Sequence, residues 1–120
     1  MDPFHQDKET RALAAQHGII YMAYSSLGTQ WEGKLGHNPV LESDVLRSIA
    51  EKHSVSIPHI VVSWVLQLGA AAIPRSTNPV HIAELNSFFV PGAPEQLRVV
   101  LDESDMQLIE SLDGTLGDPW

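Results

Sequence analysis

The chain has 120 residues, a formal net charge of −8 and 43% hydrophobic residues, and it contains no cysteine. This length suits one hydrophobic core and is too short for two domains. The negative charge, with seven scattered Lys and Arg residues, argues against nucleic acid or an anionic membrane as the main partner. The absence of cysteine excludes disulfides and thiolate metal sites. No signal peptide or membrane-spanning run is visible, so we expect a cytoplasmic protein.

The first third of the chain predicts a helix, a strand and an irregular loop. Residues 7–17 have helical spacing, with Asp7 at the N-cap position. The unbroken apolar run Ile19–Tyr24 predicts a strand covered on both faces, which is typical of a parallel sheet between helices. Residues 25–29 form the exit loop of this strand. The glycines and the proline of residues 30–39 predict irregular structure.

The remainder predicts four helices and a second strand. Residues 42–53 and a segment capped by Ser56 carry apolar side chains at helical spacing. A short strand at Ala70–Ile73 and a helix at Pro79–Asn86 follow, and Asp102 begins the last helix. Alternating helices and buried strands indicate an α/β architecture with parallel strands.

Only two strands are predicted, and two parallel strands cannot close a barrel or form a shielded sheet. The apolar edges of such a pair would remain in water. We therefore expect the chain to be part of a larger fold. In isolation it should self-associate through its uncovered strand edges.

The turn between the second strand and its helix gathers polar side chains. Arg75, Ser76, Thr77 and Asn78 directly precede Pro79. Thr77 or Asn78 can cap the helix, and the proline suits the first helical position. A cation, several polar side chains and the free N–H groups of a helix favour an anion, most commonly phosphate. The alternative is an ordinary capped helix with an arginine on the surface.

The order of these segments resembles the carboxyl-terminal portion of the aldo-keto reductases, NADP(H)-dependent enzymes with a (β/α)8 barrel. The resemblance is carried by these motifs: Pro3–Gln6, His17–Ile19 with Ala23–Gly28, Ile73–Ser76 with Asn78–Asn86, and Asp102–Met106 with Leu112 and Asp113. It implies an α/β fold that is the C-terminal part of a TIM barrel, with about two strands and their flanking helices, incomplete as a barrel. Residues 1–120 would then form one oxidoreductase domain.

The resemblance also implies which residues bind the cofactor. They are Tyr24, Ser25, Leu27, Thr29, Arg75, Ser76, Asn78, His81 and Glu84. Tyr24 would stack beneath the nicotinamide, the loop after it would line the pyrophosphate, and Arg75 with Ser76 would hold the 2′-phosphate of the adenosine ribose. The alternative for Tyr24 is a buried tyrosine of the core.

Three features depart from the family pattern. The family often has an arginine at the position of His81 and an asparagine at the position of Leu85. A histidine, mostly uncharged at neutral pH, grips phosphate less firmly than an arginine fork does. Preference for NADP(H) then rests mainly on Arg75, which makes NAD(H) plausible as a second cofactor. Residues 90–100 have no counterpart and are expected to be a surface insertion that begins with a turn at Pro91–Pro94.

No catalytic residue is assigned, because the family's catalytic tyrosine, lysine, aspartate and histidine lie on strands that would precede Pro3. Tyr21 lies inside a predicted buried strand and is a poor candidate acid. The histidines lack metal-ligand spacing, and the adjacent serines lack the Gly-x-Ser-x-Gly elbow of a serine hydrolase. No metal site is therefore expected. Trp31 and Trp120 are candidates for substrate contact, with local packing as the alternative.

The implied function is that of the cofactor-binding part of an NADP(H)-dependent reductase. The intact protein would reduce a small aldehyde or ketone by direct hydride transfer, and this chain alone is expected to be inactive. Either the gene model starts late or the chain is a genuine truncation. The first option is favoured, because Met1 occupies a position that an internal residue could hold. The alternatives are a non-catalytic nucleotide-binding or regulatory piece, and a structural α/β remnant that binds nothing.

Overall fold

The computed structural model describes residues 1–119, apart from the side chains of residues 85, 94 and 95. Helices and short strands alternate along this part of the chain. The helices are α1 (Lys8–Gln16), α2 (Thr29–Leu35), α3 (Pro39–Glu42), α4 (Asp44–His53), α5 (Ile57–Gln67), α6 (Pro79–Leu85) and α7 (Glu103–Glu110), and the strands are β1 (Met22–Ala23), β2 (Ala71–Ala72), β3 (Phe89–Val90) and β4 (Ala93–Leu97). Within these residues no helix is both long and apolar enough to cross a bilayer.

β1 and β2 form a parallel pair, with Met22 opposite Ala71 and Ala23 opposite Ala72. The crossover between them contains α2 to α5. Because the strands run in the same direction, the loops that follow them leave at the same edge of the pair. The predicted positions and parallel relation of the two strands are confirmed, although each strand is only two residues long.

The prediction that residues 19–24 are covered on both faces is wrong for this chain. Ala23 is buried, whereas Ile20 is 76% exposed and Tyr24 is 67% exposed. Alternate side chains of a strand point to opposite faces, and only the face that carries Ala23 packs into the core. An unbroken apolar run predicts two covered faces, but the elements of this chain cover one.

α5 is the centre of the hydrophobic core. Its Ile60, Val61 and Trp64 are fully buried, and the helix packs against both α4 and β2. The Ser56 hydroxyl accepts the His59 N–H at 3.2 Å, so the predicted cap is confirmed. A helix that buries apolar residues at this spacing is stabilised mainly by its tertiary contacts.

The expectation of irregular structure in residues 30–39 is wrong. α2 occupies most of this segment and lies between Gly28 and Gly36, whose backbones are left-handed, with φ of 82° and 74°. Gly33 within the helix lowers its intrinsic propensity. The helix forms nonetheless because its Trp31 is fully buried, and packing outweighs propensity here.

β3 and β4 form an antiparallel hairpin, so the expectation of only two strands is wrong. The predicted turn at Pro91–Pro94 overlaps the connection between these strands. Phe88 before the hairpin and Val99 after it are buried, and they anchor it to the rest of the molecule. The expectation that residues 90–100 are an insertion stays a prediction.

A buried carboxylate, Asp105, joins α4 to α7. It accepts hydrogen bonds from Lys52 Nζ at 2.8 Å and from His53 Nε2 at 2.7 Å. Asp102 and Asp105 form a capping box at the start of α7, which confirms Asp102 as the predicted cap. Burial alone would raise the pKa of Asp105, but the bonds from Lys52 and His53 hold it below its usual value.

The start of α1 differs from the predicted cap. Asp7 occupies the N-cap position with a left-handed backbone (φ 49°), but its side chain makes no capping hydrogen bond. Its carboxylate instead accepts the Tyr21 hydroxyl at 2.6 Å. Burial of Tyr21, together with this bond, raises the pKa of the phenol. The Tyr21 hydroxyl is thus engaged by Asp7, directly before α1, and Tyr21 lies just before β1 and is partly buried.

A candidate dinucleotide cleft at the ends of two parallel strands

A cleft of about 530 Å³ opens at the carboxyl ends of β1 and β2. Loops that follow neighbouring parallel strands meet at this edge of a sheet, which is where open α/β folds bind ligands. The cleft is lined by Tyr24, Ser25, Ser26, Leu27, Thr29, Val62, Ala72, Ile73, Pro74, Arg75, Ser76, Thr77, Asn78 and His81. Eight of the nine residues implied by the resemblance lie together in this cleft.

The ninth, Glu84, lines a smaller adjoining cavity of about 240 Å³. The two cavities share Arg75, Ser76 and His81, so they form one continuous depression. Glu84 accepts a hydrogen bond from the Ser56 hydroxyl. The sequence indicated Ser56 only as a helix cap. Its second contact depends on how α5 packs beside α6, and no local pattern predicts it.

The loop after β1 is held in one conformation by its side chains. Ser25 has a left-handed backbone (φ 57°), which is uncommon for a residue other than glycine. Its hydroxyl lies 2.8 Å from Thr29 Oγ1 and 2.6 Å from Gln30 Oε1. Asn38 Nδ2 donates to the Leu27 carbonyl at 2.9 Å. These bonds fix the loop before any ligand is present.

The loop after β2 presents a cation and a capped helix. Asn78 Oδ1 accepts the Val80 N–H at 2.9 Å and caps α6, and Ser76 Oγ accepts the Asn78 N–H at 3.1 Å. Arg75 is exposed, and within the described residues its guanidinium forms no ion pair and no hydrogen bond. A positive charge without a protein partner is available to an anion.

A buried histidine contacts two of the residues that line the small cavity. His59 is 3% exposed, and its ring packs edge-on against Phe88 with 4.5 Å between centroids. Its Nδ1 lies 3.9 Å from Glu84 Oε1. Burial lowers the pKa of His59, so a neutral ring is favoured at this place. His59 therefore packs behind Phe88 and Glu84 and does not itself line the cavity.

Of the two tryptophans considered for substrate contact, only Trp31 is among the described residues, and it does not line the cleft. Trp31 is 0% exposed and belongs to the core, so the expectation of substrate contact is wrong for it. Trp120 lies outside the described residues, as does the side chain of Leu85. The alternative of a buried core residue is wrong for Tyr24, since that ring is exposed and lines the cleft.

The lining of the cleft combines an aromatic ring with a cation and several hydroxyl groups. An aromatic face can orient a planar heterocycle, and a guanidinium beside helix N–H groups suits phosphate. Among residues 1–119 no group of three or more His, Cys, Asp or Glu side chains is placed to hold a metal ion. The arrangement therefore suits a phosphorylated ligand that also carries a planar ring.

Comparison with known proteins identifies the family. The sequence profile of the Aldo/keto reductase family matches residues 1–113. The 7-acetyl-epi-neemfruitin B aldo-keto reductase of Melia azedarach is 36% identical over 104 residues, which cover 83% of this chain and 31% of that protein. The NAD(P)H-dependent D-xylose reductase of Scheffersomyces stipitis is 33% identical over 129 aligned residues, with 98% of this chain and 37% of that protein covered.

The fold agrees with a solved structure. The crystal structure of a Gox0644 mutant in complex with NADPH matches with a TM-score of 0.76 and 33% identity, over 98% of this chain and 38% of that one. The chain spans about a third of the length of the relatives it matches. Its two parallel strands and their helices form an incomplete part of a (β/α)8 barrel, as predicted. The chain belongs to the aldo/keto reductase family.

Proposed function

We propose that this chain is the cofactor-binding part of an NADP(H)-dependent enzyme that reduces small aldehydes or ketones by direct hydride transfer. The observation that carries the proposal is the cleft in which Tyr24 and Arg75 lie on one continuous surface at the ends of β1 and β2. The NADPH bound to the similar Gox0644 structure supports this choice of ligand.

Each side of the cleft would hold one part of the cofactor. The exposed ring of Tyr24 would support the nicotinamide, and Ser25, Leu27 and Thr29 would face the pyrophosphate. Arg75 and Ser76 would hold the 2′-phosphate. The remaining positions would contact the adenosine end; they are Asn78, His81 and Glu84. The cofactor supplies the hydride, and the protein supplies orientation and charge.

Carbonyl reduction also requires a proton at the carbonyl oxygen as hydride reaches carbon. The two lining groups that could donate a proton, Tyr24 and His81, are assigned here to the cofactor, and the phenol of Tyr21 is engaged by Asp7. We therefore propose that the chain alone binds cofactor without reducing a substrate. A substrate class narrower than a small carbonyl compound is not part of the proposal, and the cytoplasmic location stays a prediction.

The choice between NADPH and NADH tests the proposal. The extra phosphate of NADPH would contact Arg75, and a charge-assisted bond of this kind changes affinity by about tenfold to a hundredfold. We therefore expect the Arg75→Ala chain to bind NADPH at least about tenfold more weakly than the unmodified chain does, with little change in its affinity for NADH. Isothermal titration calorimetry measures both affinities. The NAD(P)H-dependent relative is consistent with residual use of both cofactors.

A matched control is Arg47→Ala, which removes an exposed arginine that pairs with Asp44 on α4, outside the cleft. This variant should bind NADPH as the unmodified chain does. Equal NADPH affinity in the Arg75→Ala chain would refute the assigned phosphate site. An unmodified chain that binds neither cofactor at millimolar concentration would favour the structural alternative.

A further inference from the structure

A chain of hydrogen bonds runs from a buried carboxylate to the edge of the cleft. Gln30 Nε2 donates to Asp2 Oδ2, and Ser25 Oγ donates to Gln30 Oε1 at 2.6 Å. The Ser25 and Thr29 hydroxyls then lie 2.8 Å apart. Ser25 and Thr29 line the cleft, but Asp2 and Gln30 do not. Asp2 and Gln30 therefore do not contact a ligand in the cleft, and their hydrogen bonds reach it through Ser25 and Thr29.

Asp2, which is 0% exposed, sets the donor-to-acceptor direction of this series of hydrogen bonds. Its Oδ1 accepts the Phe4 N–H at 2.8 Å, and its Oδ2 accepts the Gln30 amide N–H. Burial raises the pKa of Asp2, and the Phe4 N–H and the nearby N-terminal ammonium oppose this rise only in part; the direction of the bonds therefore rests on the two N–H donors, one on each oxygen. Such a set of donors serves an ionised carboxylate, which can only accept. Gln30 must then turn its NH2 group inward and its carbonyl toward Ser25.

This direction determines which hydroxyl remains free to donate. A serine has one proton, and Ser25 gives it to Gln30 Oε1. In the Ser25–Thr29 pair, Thr29 must then be the donor. When an anion enters the cleft, the Thr29 hydroxyl can turn to it, whereas the Ser25 proton stays committed. The left-handed backbone of Ser25 fits this assignment, because strained residues persist where surrounding bonds hold them.

We propose that Gln30 is a positioning residue for cofactor binding. By fixing Ser25 as an acceptor, it leaves the Thr29 hydroxyl as the side-chain donor to the pyrophosphate. This inference rests on the proposed function, since it requires a dinucleotide in the cleft. It goes beyond that function because it assigns a role to a residue outside the cleft. It also predicts that Gln30 affects the binding of the pyrophosphate but not the binding of the 2′-phosphate.

The test compares two ligands on the full chain by isothermal titration. NADPH carries a pyrophosphate, whereas adenosine 2′,5′-bisphosphate carries only the groups expected at the Arg75 end. Gln30→Met keeps the side-chain length but removes both hydrogen bonds. It should weaken NADPH binding by about tenfold, as expected for one hydrogen bond to a charged group. The affinity for the bisphosphate should change by less than about twofold, because this ligand loses no hydrogen bond in the variant.

A second comparison checks the route through Thr29. Thr29→Val should weaken NADPH binding in the unmodified chain and have little further effect in the Gln30→Met chain, because the two changes remove one interaction. The matched control is Gln107→Met on α7, whose exposed side-chain amide donates to Glu103 at 3.2 Å and does not line the cleft. This control should bind both ligands normally. If Gln30→Met does not fold, Gln30→Asn keeps the amide but is too short to span Asp2 and Ser25.

Three outcomes would overturn the inference. Unchanged NADPH affinity in both Gln30 variants would remove the positioning role. Equal weakening of both ligands would indicate a general loss of structure. Additive losses for the Gln30 and Thr29 changes would show independent contributions. If the unmodified chain binds the bisphosphate but not NADPH, the inference fails while the phosphate site stands; if it binds neither, the proposed function fails as well.

Discussion

Gly28 lies where the loop after β1 enters α2, and we predict that Gly28→Ala destabilises the protein severely. A Cβ at this position would lie 2.5 Å from Val40 Cγ2, 2.8 Å from Val40 Cβ and 2.6 Å from Asn38 Oδ1. Val40 is fully buried, and its Cβ moves only with the backbone. Asn38 Oδ1 is held by the N–H groups of Val40 and Leu41. Neither Val40 nor Asn38 can therefore move away from the added methyl group without a large loss of stability.

Two costs add at this position. A left-handed backbone costs an alanine about 1 to 2 kcal/mol, and forcing an extra methyl into a packed region costs about 1 to 3 kcal/mol. We expect the free energy of unfolding to fall by about 2 to 5 kcal/mol. Urea unfolding followed by circular dichroism measures this change, and a shift of the midpoint at constant slope would show that the native state alone is affected.

The matched control is Gly36→Ala at the other end of the same helix. Gly36 has φ of 74°, but a Cβ there would meet nothing within 4 Å. Its substitution should cost only the backbone share, about 1 to 2 kcal/mol. Equal losses of stability in the two variants would refute the reasoning, because the contacts with Val40 and Asn38 would then have no energetic effect.

Four further predictions follow from the described contacts. Asp105→Asn weakens the hydrogen bonds from Lys52 and His53 and should lower the free energy of unfolding by about 1 to 2 kcal/mol in urea titrations, because Lys52 is exposed and keeps Asp102 as a partner. Because the pKa of Asp105 is lower in the folded state, its stabilisation is present above about pH 4 and is lost in acid; Asp105→Asn should flatten that loss in unfolding measured against pH. Tyr21→Phe removes the bond to Asp7 and should cost about 1 kcal/mol by thermal unfolding. Because β1 and β2 leave strand edges uncovered, we expect the chain to self-associate. Sedimentation velocity should show association that increases with protein concentration, and a single monomeric species would contradict this expectation.

The helices were predictable where local chemistry is strong. α5 and α7 each have a polar cap directly before an apolar stripe, and both caps, Ser56 and Asp102, make the expected bonds. α2 was missed because Gly33 weakens its local propensity, and only the burial of Trp31 compensates for it. The hairpin was missed because a proline-rich turn does not show that the segments on either side pair.

The resemblance also identified the candidate cofactor residues, but it did not identify the side chains that hydrogen-bond to them. Asp2 and Gln30 are 28 positions apart, and Ser56 and Glu84 are equally distant. Such contacts have no local signature, because they depend on how separate elements pack. The cleft is therefore visible in the sequence as a set of residues, whereas its fixed geometry is not.

Local chemistry in the sequence was enough to indicate two parallel strands, the main helices and a phosphate-compatible turn at Arg75, because backbone preferences and capping act over a few residues. Tertiary packing alone decided that Trp31 enters the core, that Tyr24 stays exposed and that Gln30 links Asp2 to Ser25. The physical reason is that burial and hydrogen-bond direction depend on neighbours distant along the chain, and a side chain acquires those neighbours only when the elements come together.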